Sequence, residues 1–175
     1  LNVENEYIRA ALDEEERARI EYDNGQTLII VDIPMPDTES DTVYTTLPLG
    51  IILVKDSIIT VCLRESAIIR EFINKKIKSF YTFYRTRFIL QILYRNASQY
   101  LHYLKIIEKT SSRIEQDLHK SMKNKELIQL LKLEKSLVYF STSLKANEIV
   151  LEKMLKFEYI KKYHPRKDEL KDMEW

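Results

Sequence analysis

From Tyr84 to the end the chain has no glycine and a single proline, Pro165. Glycine and proline are the residues that interrupt regular structure, so a run this long without them commits the chain to extended elements. Apolar spacing decides which kind. Leu93, Ala97, Tyr100, Leu104, Ile107, Ser111, Ile114 and Leu118 alternate at four and three residues, which marks one face of a helix as a heptad seam. Leu130, Leu133, Leu137, Phe140, Leu144, Asn147, Leu151 and Met154 repeat the pattern at three and four. The polar "KNK" between them, Lys123 to Lys125, is a turn signal. The spacing predicts a helix from about Phe80 to Met122 and a second that folds back as an antiparallel hairpin. Asn147 is the one polar residue of the second seam. Buried, it fixes register at some cost in stability; otherwise the seam has reached its solvated end there, and both readings stay open.

The first part of the chain reads with a different period. "ARIEYD" and "QTLIIVDI" flank Asn24-Gly25, a pair suited to the positive φ angles of a two-residue type I′ turn, so both flanks are expected to be antiparallel strands. Pro34 and Pro36 are expected to end the second strand, and Asp37 to Thr42 to form a loop. "VYTTLPLGIILVKDSIITVCL" then predicts a short strand, a kink at Pro48, and two β-branched runs joined at Lys55-Asp56 as another hairpin. Runs such as "GIILV" are apolar on both faces, which predicts a sheet covered by helices on both sides. Ahead of the sheet, Tyr7, Ile8, Ala11 and Leu12 predict a helix over residues 4–16 ending near the acids. Behind it, "SAIIREFINK" predicts a short helix from Ser66. The fold class is therefore α/β (α+β): a mainly antiparallel sheet covered by helices, then the long hairpin. Residues 1–79 are expected to form the sheet domain, 80–160 the hairpin, and 161–175 the start of a further helix.

Composition narrows the function. The net charge of +1 conceals a net of −9 over residues 1–74, +9 over 75–135 and +1 over 136–175. Such polarity suits a partner surface or two halves that attract each other. The single cysteine, Cys62, excludes an intrachain disulfide and gives no metal-ligand spacing, so a reducing compartment is expected. No apolar run reaches the roughly 18 to 20 residues needed to span a bilayer, which predicts a soluble polypeptide. The start at Leu1 and an end in "KDELKDMEW" without a helix-stop signal suggest a fragment.

No catalytic constellation emerges. Two glycines, Gly25 and Gly50, cannot build a nucleotide-binding loop. His102, His119 and His164 are scattered, and Glu115 with His119 at i, i+4 reads as a local ion pair for want of a third ligand. An enzyme is not expected. The basic, aromatic stretch Lys75 to Arg95 could neutralise phosphates and stack on bases, but Phe80, Phe83, Tyr84 and Phe88 fall at helical spacing and are expected to pack against the sheet; no nucleic acid is expected. Asp13, Glu14, Glu15 and Glu16 follow one another, so a helix would fan them apart instead of converging them on a cation, and Arg17 and Arg19 would compete.

The order "ALDEEERARIEYDNGQTLIIVDIP", "LPLGIILVKDSIITVC", then a long helix containing "ASQYLHYLKIIEKTSSRIEQDL" and a second long helix resembles the cytoplasmic domain of the CorA family of magnesium and cobalt transporters. In that family a helix ends in an acidic turn and an Arg-x-x-x-Glu-like element enters a strand; "ERARIE" supplies it here, with Arg17, Arg19 and Glu21. The resemblance implies a homopentamer, a cell-membrane location through C-terminal transmembrane helices that this chain does not contain, and this part on the cytoplasmic side with "KDELKDMEW" opening a stalk helix. It implies Mg2+ as regulatory and transported ion, with Co2+, Ni2+ or Zn2+ as alternatives. It also implies a regulatory cation between subunits, held near an aspartate that counting back from Glu21 places at Ala10. Glu6 and Asp13, four before and three after Ala10 on the expected helix, are the nearest substitutes. The family's hairpin is often acidic, whereas "KSMKNK" makes this tip basic.

Two functions therefore stand. One is the regulatory domain of a CorA-like divalent-cation transporter, sensing cation and gating the pore. The alternative is a non-transport hairpin module that binds protein or nucleic acid.

Overall fold

The computed structural model describes residues 3–37, 42–55, 57–78, 80–81, 84–121 and 124–156. Asn24 and Gly25 adopt φ of 47° and 77°, the left-handed pair that a tight hairpin demands. Strand β1 (Arg19–Asp23) therefore folds straight back on β2 (Gln26–Pro36), with Asp23 opposite Gln26. β2 pairs antiparallel with β3 (Tyr44–Val54), and β3 with β4 (Ser57–Cys62), so the sheet order is β1-β2-β3-β4. The outer strands are short. β1 extends only to Ile30 on β2, and β4 only to Leu49 on β3.

The expectation that Pro34 and Pro36 end a strand is corrected, as is the kink at Pro48. β2 runs through Pro34 to Pro36, and β3 runs unbroken past Pro48, which lies opposite Asp32. The register explains why. The Asp32 amide points away from β3, so by alternation the nitrogens of Pro34 and Pro36 do too, toward the side where β1 has already ended. Pro48 points its nitrogen the other way, past the end of β4. A missing N–H costs a sheet nothing where there is no neighbour to receive it. Residues 38–41, within the expected loop, lie outside the described residues.

Both faces of the sheet are covered. On one side Leu28, Ile30 and Ile52 meet Tyr7 and Ala10 of α1 (Asn5–Ala11). The approach is close: a Cβ on Gly50 would stand 2.4 Å from the Ala11 Cβ, so only glycine admits α1 there. α1 is shorter than expected and stops at Ala11. Continuing it would stack Asp13 to Glu16 at the negative end of its dipole. On the other face Ile29, Val31, Ile33, Leu49 and Ile51 pack with Ile68 and Phe72 of α2 (Ala67–Ile73). They also meet Phe88 and Ile92 of α3 (Arg85–Ser121), and Val150 and Met154 of α4 (Asn124–Lys156). The rings of Phe72, Phe80 and Phe88 stand 5.1 to 5.2 Å apart where α2 meets the start of α3. Phe83, expected in the same contact, residues 122–123 in the hairpin turn, and residues 157–175, including the expected stalk opening, lie outside the described residues.

The seams are half correct. In α3 Leu93, Tyr100, Ile107 and Ile114 are buried. In α4 Leu133, Phe140, Asn147 and Met154 are buried, but Leu137, Leu144 and Leu151 are 41%, 37% and 40% exposed. Ser136, Ser143 and Val150 point inward in their place. A two-helix seam fails because α4 also lies against β1, β2 and β3, and small residues let its backbone approach them.

Candidate functional site

The acidic turn follows directly from the end of α1. The Asp13 amide donates to the Ala10 carbonyl at 3.3 Å, Asp13 Oδ1 accepts from the Glu15 amide at 3.0 Å, and the Glu16 amide donates to the Asp13 carbonyl at 3.2 Å. Asp13 thus shapes the turn with one carboxylate oxygen. Arg19 pairs with Glu16 and, at 3.2 Å, with Glu21. Burial disfavours its charge, but these two carboxylates outweigh that and push its pKa up. Arg64 lies 3.8 Å from Glu14. Arg19 and Arg64 therefore occupy Glu14, Glu16 and Glu21, and no ion pair engages Asp13 or Glu6 among the described residues.

The shared helix face expected for Glu6 and Asp13 is not there. Glu6 lies in α1, whereas Asp13 lies two residues past its end; both side chains are exposed. Ala10 is 8% exposed and packs on the sheet, so the position that the resemblance assigned to a cation ligand is a core position. Among the described residues no group of three or more His, Cys, Asp or Glu side chains could hold a metal ion. His102 and His119 are exposed, and no ion pair joins His119 to Glu115. The Glu115 carboxylate instead accepts from Ser111 Oγ at 3.2 Å.

A second constellation ties the hairpin to the sheet. Beyond Ile30, β2 has lost its partner β1, and the N–H and C=O of Asp32 face the gap. The Asn147 amide fills it: Oδ1 accepts from the Asp32 N–H at 2.8 Å, and Nδ2 donates to the Asp32 carbonyl at 2.8 Å. A side chain on α4 thereby reproduces the hydrogen bonds of a neighbouring strand. Asn96 Nδ2 and the Tyr100 hydroxyl on α3 donate to the same carbonyl at 2.9 and 3.1 Å. Farther along α4, Ser136 Oγ accepts from the amides of Val43 and Tyr44 at 3.2 and 3.0 Å. The hydroxyls of Ser143 and Thr46 share a hydrogen bond at 2.8 Å. Asn147 is 7% exposed, so of the two readings the buried one holds, with the register it fixes being that of helix against sheet.

This network shifts the groups it encloses. Burial raises the Asp32 pKa, partly offset by a hydrogen bond from Ser143. Burial, then the Asp32 charge, raises that of Tyr100. Sequence reading singled out Asn147 but missed Asp32, Asn96, Tyr100 and Ser143 as one group. The available signal was an aspartate inside an otherwise apolar strand, which needs donors from somewhere.

No helix among the described residues is long and apolar enough to cross a membrane. A family model described as CorA-like Mg2+ transporter protein matches residues 1–174. The fold superposes on the soluble domain of CorA from Methanocaldococcus jannaschii with a TM-score of 0.77 and 27% identity, covering 98% of this chain and 68% of that one. It matches the complete CorA magnesium transporter of the same organism with a TM-score of 0.77 and 26% identity, over 97% of this chain and 53% of that one. The cytoplasmic domain of ZntB from Vibrio parahaemolyticus shares the fold at 14% identity, with a TM-score of 0.67 over 89% of this chain and 61% of that one. No curated protein sequence matches the chain.

Proposed function

Because the chain belongs to the CorA-like Mg2+ transporter family, we propose that it is the cytoplasmic regulatory part of a divalent-cation transporter, anchored in the cell membrane by segments beyond it. The observation that carries this reading is the match to the soluble domain of an archaeal CorA over 98% of this chain. In this proposal the domain senses Mg2+ and gates a pore that other parts of the protein form, within a homopentamer. Co2+, Ni2+ or Zn2+ would fit the same chemistry.

Asp13 and Glu6 are the proposed ligands. Both are exposed, and Arg19 and Arg64 are engaged by other carboxylates. Mg2+ retains several waters and needs only one or two carboxylates, so a site shared between neighbouring subunits suits it better than a cage within one chain. Bound cation would offset carboxylate repulsion between neighbours and favour the closed ring. Its loss would let the domains separate, shifting the population toward open. Titrating the full-length protein with Mg2+ while following inter-domain distance by spin-label or fluorescence pairs tests this. Expected is closure on Mg2+ addition, with a weaker apparent affinity in Asp13→Ala and Glu6→Ala. Identical titrations in parent and both variants would remove these ligands, and no Mg2+ response at all would remove the sensing role.

A further inference from the structure

Between α3 and α4, toward the tip of the hairpin, lies a groove of about 870 Å3. Leu104 and Leu130 form part of its floor, and Leu127, Leu131 and Leu137 stand along its α4 side, 47%, 56% and 41% exposed. Three carboxylates line it as well: Glu108 and Glu115 one heptad apart on α3, and Glu134 on α4. Glu115 accepts from Ser111, while Glu108 and Glu134 have no cationic partner among the described residues.

The sidedness of charge identifies what would fit. Residues 75–135 hold 14 basic and 5 acidic side chains. Three of those five acids line this one groove, and none of the bases among the described residues does. The opposite side of the same helix pair, where Val43 and Tyr44 approach, carries Arg113 and Lys132 beside Asp117. An apolar trough whose charged lining residues, among those described, are all acidic, set in a strongly basic segment, repels phosphate and anionic lipid. It complements a helix whose apolar stripe is flanked by lysine or arginine.

We propose that this groove docks a cationic amphipathic helix of a partner protein, its apolar side chains at i, i+3, i+4 and i+7 against the leucines and its basic side chains against Glu108, Glu115 and Glu134. Groove-to-groove pairing of two copies would set acid against acid, which disfavours a symmetric self-contact. Small ligands would leave most of so long a trough wet.

The probe is a labelled peptide of roughly 18 residues, with leucines at those spacings flanked by lysines, titrated with the 175-residue chain by fluorescence anisotropy. Expected is saturable binding that weakens with salt and falls by about tenfold or more in the triple variant Glu108→Lys, Glu115→Lys, Glu134→Lys. A smaller loss is expected in the corresponding triple Gln variant, which keeps the test valid if the reversal perturbs folding. Glu148→Lys with Glu152→Lys, elsewhere on α4, should leave binding unchanged. Three results would overturn the proposal: equal binding of a peptide with glutamates in place of the lysines, triple variants that bind like the parent, or concentration-dependent self-association that the triple reversal abolishes, which would make the occupant a second copy.

Discussion

Replacing Asn147 by alanine separates two accounts of how the hairpin is held. If helix-to-helix packing dominates, the seam leucines should matter most; if α4 completes the sheet edge, Asn147 should. Truncation removes both 2.8 Å bonds to Asp32, but with unequal consequences. The Asp32 carbonyl keeps Asn96 and Tyr100 as donors. The Asp32 N–H has no substitute, and a buried amide left unsatisfied costs about 1–3 kcal/mol. Alanine returns about 0.5 kcal/mol through its better helix propensity. The expected net loss is about 1.5 kcal/mol, equivalent to a fall in Tm of roughly 3–6 °C for a chain of this size. Leu144→Ala on the same helix would cost about 2–5 kcal/mol at a fully packed seam position. At 37% exposure it should stay below about 1 kcal/mol. Chemical denaturation followed by far-UV circular dichroism measures both, and hydrogen exchange at the Asp32 amide reports the lost bond directly. A larger loss for Leu144→Ala than for Asn147→Ala, or unchanged protection at Asp32, would refute the reasoning.

Gly50→Ala should destabilise the fold by about 1–3 kcal/mol in the same denaturation assay, because its Cβ meets Ala11 on α1; adding Ala11→Gly should recover part of the loss. For Asp32, burial raises the folded pKa above the unfolded value, so its contribution is most favourable below the ordinary aspartate range and is lost as pH rises through the folded pKa. Asp32→Asn, which can still accept from Ser143, should therefore raise the denaturation midpoint at pH 7, and the gain should shrink toward pH 4; a constant difference across that range would contradict the assignment.

Local rules that act over a few residues were legible in the sequence. Asn24-Gly25 gave the first hairpin with the strands on both its flanks, and heptad spacing in a stretch with no glycine and one proline beyond Tyr84 gave two long helices. The prolines misled because their permission is set by where the neighbouring strands stop, which depends on β1 and β4 together. In α4 the leucines at 137, 144 and 151 suggested the wrong face. That helix carries apolar residues most of the way round, so periodicity alone could not choose between the row containing Leu144 and the row containing Ser143. The deciding factor was the unmet backbone at Asp32 and Tyr44, which only small or polar side chains could approach. At the acidic turn, the sequence put on a helix acids that the structure places in a turn. It placed Asp13 on a helix because the charge repulsion that ends α1 early competes with an otherwise acceptable apolar pattern.

The bonds from Asn147 to the edge of β2 also make a fulcrum. Twenty-three residues separate Asn147 from Asn124 at the start of α4, and at about 1.5 Å per residue that arm is roughly 35 Å long. A tilt of the sheet by roughly ten degrees would sweep the hairpin tip through about 6 Å, provided the helix stays straight. Sliding α4 by a single residue would instead strand the Asp32 amide, so the two parts turn together more readily than they slip. Small rotations of the sheet are in this way geared up into displacements the size of a helical turn at the far end.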